Sequence, residues 1–200
     1  MSETSGIVAT GPDPAYGSRG ASSLSEQSRS LTVPDRSAGN ALAPNTSLQT
    51  WADPDWQRFW LTVDQLPWKT LAFIPAGDGG PPDFTLSLAV TLSRTGMTHL
   101  GGPMLVADGT QVRLNELTAF LADVRSCSEA GQRVIVALPS AKSDATVPAI
   151  ANSVDGVVLC VLFGRMKSSD AKETIRLVGS KKFLGSVIIR PDGSGVAPQG

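Results

Sequence analysis

Thr70-Leu-Ala-Phe-Ile-Pro-Ala-Gly-Asp-Gly-Gly-Pro-Pro-Asp-Phe84 opens on a short apolar run, turns through a glycine-rich loop and leads into a second apolar segment. Thr70–Ile74 has the composition of a buried strand, and Leu86, Leu88, Ala89 and Leu92 recur as they do on a buried helix over Phe84–Ser93. The same alternation continues down the chain. Strands are expected at Met104–Ala107, Val134–Leu138, Val157–Phe163 and Leu184–Ile189. Helices are expected at about Asn115–Val124, Val147–Ala151 and Ser169–Val178. The run Val157–Phe163 is continuously apolar, as in a strand covered by helices on both faces. Strands alternating with helices at this spacing predict parallel βαβ units: an α/β three-layer sandwich with a mainly parallel sheet.

The folded part is bounded by composition. Residues 1–50 are rich in Ser, Gly, Pro, Thr and Asn and poor in large apolar side chains, so they bury too little surface to offset their ordering entropy and are expected to be disordered. The domain is expected over 51–190, followed by a short flexible tail over 191–200. Asp53-Pro54 is a helix start, an N-cap followed by proline in the first turn, and Pro67 follows the end of that helix. Trp56, Phe59, Trp60 and Val63 fall on one of its faces.

With 200 residues the chain has room for one well-cored domain. A net charge of −1 gives no electrostatic case for nucleic acid or an acidic membrane surface. No basic stretch followed by an apolar core stands in the first thirty residues, and no run approaches the roughly 20 apolar residues of a membrane helix. The chain therefore reads as cytoplasmic. Cys127 and Cys160 fit no metal or redox spacing, and Cys160 is expected to pack as a small hydrophobe. His99, the single histidine, has no acid or nucleophile beside it in sequence, which argues against catalysis. Lys181-Lys182 reads as a solvated helix end.

In an open parallel sheet, ligands bind beyond the carboxyl ends of the strands. A phosphate loop at the first strand end needs glycines for close approach, a lysine for the β and γ phosphates and a hydroxyl for magnesium. Gly77, Gly79 and Gly80 supply the glycines, but Pro81, Pro82 and Asp83 stand where lysine and hydroxyl are wanted, and Asp78 and Asp83 add negative charge. Each proline also removes a backbone donor. A polyphosphate is expected to be repelled there.

The run Lys69–Gly80, followed by Thr85-Leu-Ser-Leu-Ala-Val-Thr-Leu-Ser-Arg-Thr-Gly96, resembles the bacterial tyrosine kinases of capsule and exopolysaccharide synthesis, within the wider group that includes the MinD and ParA ATPases. The resemblance spans roughly residues 54–190. It implies an Asp-x-Asp at the second strand end, where Asp108-Gly-Thr110 keeps only the first aspartate. It implies an acidic residue at the third, where Ala137 stands before Leu138-Pro139, and an Asn near the last, where Arg190 stands. It also implies a C-terminal tyrosine cluster, whereas the one tyrosine is Tyr16. These losses remove the groups that hold phosphates and metal in phosphoryl transfer.

No catalytic residue, metal or cofactor is therefore expected; ATP and magnesium belong only to an alternative reading, an active tyrosine kinase or a MinD/ParA-like ATPase with an atypical loop. Asp108 is expected to be solvated or to cap the following helix. The resemblance implies a non-catalytic accessory protein of polysaccharide synthesis and export. It would dock at the inner face of the cell membrane on a polysaccharide copolymerase or chain-length determinant protein, with homo-oligomerisation open. In the family the first helix carries a Glu-x-x-Arg-x-x-Arg pattern used in subunit contacts; here Asp55 and Arg58 remain and Leu61 replaces the second arginine. Trp56, Arg58, Phe59 and Trp60, flanked by Trp51 and Trp68, are thus interface candidates, unless the aromatic face simply covers the sheet.

Overall fold

A computed structural model describes residues 31–32, 53–101, 103–190 and 196–199. Apart from residues 31–32 and 196–199, the two predicted tails lie outside the described residues, as does Trp51. Seven strands form one sheet: β1 (Leu31–Thr32), β2 (Thr70–Pro75), β3 (Met104–Asp108), β4 (Arg133–Ala137), β5 (Gly156–Leu162), β6 (Phe183–Ile189) and β7 (Val196–Gln199), in the spatial order β1-β3-β4-β2-β5-β6-β7. The five inner strands are all parallel, and β1 and β7 run antiparallel at the two edges. The helices are α1 (Pro54–Asp64), α2 (Phe84–Leu100), α3 (Leu117–Glu129), α4 (Val147–Ser153) and α5 (Ser168–Val178).

Every residue of β2 is buried, because it lies between β4 and β5 with helices above and below. Successive side chains of a strand point to opposite faces. Leu71 and Phe73 accordingly join one core with α1 and α2, whereas Ala72 and Ile74 join a second core with α3, α4 and α5. The result is a three-layer α/β sandwich, and every expected inner strand and helix is found within a few residues of its expected bounds except at the ends of α2 and α3, the latter running on to Glu129.

Helix α2 runs seven residues past its expected end. Gly96 does not stop it. It provides a notch instead: a Cβ at Gly96 would lie 2.7 Å from the Trp60 ring and 2.7 Å from Met104 Cε. The helix ends at Gly101, whose φ of 67° is the left-handed cap that glycine adopts at little cost.

The first helix is started as expected, with the Asp53 carboxylate accepting from the Asp55 N–H at 2.8 Å. Its aromatic face lies inside the molecule. Trp56 and Phe59 are 5% exposed and Trp60 is fully buried, all within the core that covers the sheet. The interface-anchor expectation for Trp56, Phe59 and Trp60 is corrected accordingly, since a ring already desolvated by its own sheet has no apolar area to offer a partner. Trp68, also buried, donates its indole N–H to the Val63 carbonyl, and Arg133 stacks over Trp68 and Trp60 while paired with Asp64. Trp60 Nε1 has no hydrogen-bond partner among the described residues, so shape rather than polarity places that ring. Of the interface candidates only Arg58 faces solvent, held by Asp55 at 2.8 Å, with Leu61 exposed beside it.

At the edges, β1 and β7 arise from segments expected to be tails. The outer strands of an open sheet leave a row of unpaired donors and acceptors, and short antiparallel segments satisfy part of it irrespective of their hydropathy. Leu31 and Thr32 pair with Ala107 and Val106, and Val196–Gln199 pair with Ile189–Ser186.

At the amino ends of the strands, Asp155 accepts from the N–H groups of Lys69 and Thr70, both at 2.8 Å, and from the Thr70 hydroxyl. Partial burial pushes its pKa up, but these hydrogen bonds and the nearby Lys182 outweigh it and hold the carboxyl below its ordinary value. Lys182 itself donates to the Val154 carbonyl, so the predicted solvated helix end is tied to the sheet.

Two outcomes follow from these contacts. Alanine for glycine inside a helix ordinarily stabilises by up to about 1 kcal/mol, but Gly96→Ala drives a methyl into the immobile Trp60 ring. It is expected to lower the melting temperature, with an overpacking cost of about 1–3 kcal/mol. Because the folded pKa of Asp155 is depressed, its stabilisation is present above the unfolded carboxyl pKa of about 3.9 and is lost as pH falls through the folded value. Asp155→Asn is therefore expected to be less stable than the parent at neutral pH in denaturant titrations, with the gap narrowing below about pH 4.

Candidate functional site

The chain leaves β2 toward α2 on one face of the sheet, and leaves β4 toward α4 on the other. Neighbouring strands whose exits diverge open a crevice at their carboxyl ends, and this is where an α/β sheet of this kind places a ligand. The crevice has a volume of about 310 Å³. Gly77, Asp78, Gly80, Pro81 and Pro82 line it from the turn after β2, Phe84 and Thr85 from the start of α2, and Leu138, Pro139, Ser140 and Ser143 from the turn after β4. The structure thus brings together the predicted loop and the end of the third predicted strand. Asp83, at the start of α2, is exposed and does not line the crevice.

The three glycines are used for packing inside the chain. None of them has a positive φ. A Cβ at Gly79 would stand 2.5 Å from the Arg165 carbonyl oxygen, one at Gly80 would meet Met166 Cε at 3.2 Å, and one at Gly77 would lie 2.9 Å from Asp170 Cβ. The loop is therefore pressed against the segment joining β5 to α5. Two hydrogen bonds fix the same arrangement: the Ala76 N–H donates to the Cys160 carbonyl at 2.8 Å, and the Thr174 hydroxyl donates to the Ala76 carbonyl at 3.2 Å.

The electrostatics are set by residues that sequence reasoning passed over. Lys142, from the turn after β4, donates to Asp170 at 2.9 Å and pairs with Glu173 at 3.4 Å. The hydrogen bond to Asp170 and its charge, with Glu173, raise the lysine pKa, and Lys142 in turn lowers that of Asp170. The ammonium is committed to two carboxylates and is not among the residues lining the crevice. The three-residue spacing of Asp170 and Glu173 places both on one helix face, which is visible in sequence. Their partner 28 residues upstream of Asp170 is not.

A nucleotide and its magnesium ion do not fit these residues. The crevice lining contains one carboxylate, Asp78, and no cationic side chain. The Thr85 hydroxyl is buried and donates to the Leu138 carbonyl at 2.8 Å. Asp108 accepts from the N–H and hydroxyl of Thr110 at 2.9 and 2.6 Å, which closes a local turn. This corrects the expectation that it caps the next helix, because α3 starts nine residues later at Leu117. Ala137 is fully buried, and its carbonyl accepts from the Gly109 N–H.

No protein-family model, curated protein or solved structure matches this chain. Among the described residues no group of three or more His, Cys, Asp or Glu is placed to hold a metal, and no helix is long and apolar enough to cross a membrane. Cys160 is fully buried with its thiol pKa pushed up by burial, and His99 is exposed in the last turn of α2.

If the glycines serve internal packing, their replacement is read in stability. Gly79→Ala meets a backbone carbonyl that cannot rotate away, whereas Gly77→Ala meets a side chain at 2.9 Å. Thermal melts are expected to show Gly79→Ala as the more destabilised of the two, by about 1–3 kcal/mol relative to the parent. An unchanged melting temperature for Gly79→Ala would remove the packing role.

Proposed function

We propose that this chain is a non-catalytic, kinase-like protein that acts by binding rather than by phosphoryl transfer. The observation that carries the reading is the crevice at the sheet's switch point, walled by Pro81, Pro82, Pro139 and Phe84 and carrying the Asp78 carboxylate where a phosphate site needs positive charge. The nearby lysine is neutralised by Asp170 and Glu173. A polyphosphate entering there exchanges its hydration for prolines and a carboxylate, a net cost.

The cellular role proposed is that of an accessory or regulatory protein of exopolysaccharide or capsule synthesis and export. It works at the inner face of the cell membrane on a polysaccharide copolymerase or chain-length determinant protein. What supports this part is the resemblance of Lys69–Gly80 and Thr85–Gly96 to the tyrosine kinases of that process. A fold of this kind retained with its phosphate chemistry replaced is suited to a partner that needs the shape and not the reaction.

Isothermal titration with ATP and magnesium is expected to give no heat of binding at micromolar nucleotide. Binding at that level, abolished by Gly79→Val in a chain that still melts cooperatively, would overturn the reading in favour of an atypical kinase or ATPase. The polysaccharide role is checked separately: the tagged full chain, purified from its native host in detergent, is expected to bring a copolymerase with it.

A further inference from the structure

Phe163, the residue after β5, has 60% of its surface exposed, an unusual state for an aromatic side chain that follows a buried strand. Its backbone N–H donates to the Ile189 carbonyl at 2.8 Å, which holds it against the end of β6. The chain turns sharply at Gly164, where φ is 76°, and presents Arg165 and Lys167 to solvent. Arg190, just past the end of β6, places its guanidinium 5.8 Å from the centre of the Phe163 ring. None of these three cations has a carboxylate within ion-pair distance among the described residues. Lys167 helps to lower the Asp170 pKa through a backbone hydrogen bond and, at longer range, through its charge. The carboxyl ends of β5 and β6 thus carry an exposed ring with one guanidinium against it and two further exposed cations two and four residues along the chain, in a chain whose net charge is −1.

We infer that Phe163, Arg165, Lys167 and Arg190 form a docking surface for an acidic peptide segment of a partner protein, with an apolar side chain of that segment packed on the Phe163 ring. Charge complementarity selects the sign of the occupant. Its width is selected by what adjoins the patch. The Arg165 carbonyl lies against Gly79, and the same rim then carries Asp78, Asp170 and Glu173. A broad anionic surface such as a lipid headgroup layer meets the positive and the negative groups together and gains little. A single extended segment covers the Phe163 side alone. The guanidinium of an arginine holds a carboxylate by two parallel hydrogen bonds, and Arg165 and Arg190 are both free to do so. This surface is separate from the crevice between β2 and β4 and does not depend on the reading proposed for it.

The test uses the full chain and a short fluorescein-labelled peptide of glutamates around a central leucine, followed by fluorescence anisotropy. Saturable binding is expected, weakening as salt rises from about 0.05 to about 0.5 M. Replacing the glutamates with glutamine is expected to abolish it. Arg165→Glu combined with Arg190→Glu is expected to weaken it by roughly ten-fold or more, and Phe163→Ser by about five-fold. All three residues are solvent-facing, so melting temperatures report whether the fold is retained, and Arg190→Glu alone serves if the double variant unfolds. Failure of the peptide to bind, equal binding of the glutamine peptide, or affinity indifferent to these substitutions would overturn the inference. So would tighter capture by phosphatidylserine vesicles through the same residues, which would make a membrane the occupant.

Discussion

The arrangement of the strand ends depends on how closely the turn after β2 is pressed onto the segment between β5 and α5. Gly79 leaves no room for even a methyl group beside the Arg165 carbonyl, and Gly77 carries the weight of Asp170. That approach lets Ala76 bond both Cys160 of β5 and Thr174 of α5. It also turns a loop with the composition of a ligand cradle into a packed joint. Glycines are needed wherever something comes near the backbone, and here the thing that comes near is the chain itself. The crevice that remains opens on the other side of the loop, toward β4, and is lined by prolines, leucine and phenylalanine together with Asp78, Thr85, Ser140 and Ser143.

Charge is distributed to match. At the carboxyl ends of the strands, Lys142 bridges two elements by pairing with Asp170 and Glu173 of α5, and so ties the turn after β4 to the helix that covers Gly77. At the amino ends, Asp155 gathers the two N–H groups at the start of β2 and fixes where that strand begins. The Lys142 pair is not a strong source of stability by its charge alone, since solvent screens it. For it and Asp155 alike the effect is positional: each joins residues far apart in sequence at a strand end.

The aromatic helix α1 plays the part of a lid on the sheet. Trp60 fills the notch at Gly96, Trp56 packs edge-to-face with Phe59 and Phe59 reaches Phe73 of β2. Four large rings drawn into one core bury far more apolar surface than an exposed patch of the same residues. An exposed ring with a cation against it is found elsewhere, at Phe163 and Arg190 beyond the carboxyl ends of β5 and β6.

Periodicity alone determined the order and type of the inner elements. Alternating apolar runs and 3.6-residue stripes are local properties, written within about ten residues, and hydrophobic burial obeys them wherever the sheet is assembled. That the glycine-rich turn carries prolines and an aspartate and no lysine was equally legible, because Pro81, Pro82 and Asp83 are identities and need no coordinates. Tertiary structure decided what local patterns cannot carry. The aromatic face of α1 reads the same whether it meets a sheet or a partner, and only the position of β2 and α2 settles that it meets the sheet. The extension of α2 past Ser93 is not legible locally, whereas in the fold Trp60 lies in the notch at Gly96. The edge strands at Leu31–Thr32 and Val196–Gln199 lie in segments whose composition reads as tail, since backbone pairing to an outer strand needs no apolar pattern. Lys142 meets Asp170 across 28 residues, and Arg190 meets Phe163 across 27, because parallel crossovers return the chain to the same edge of the sheet after each helix.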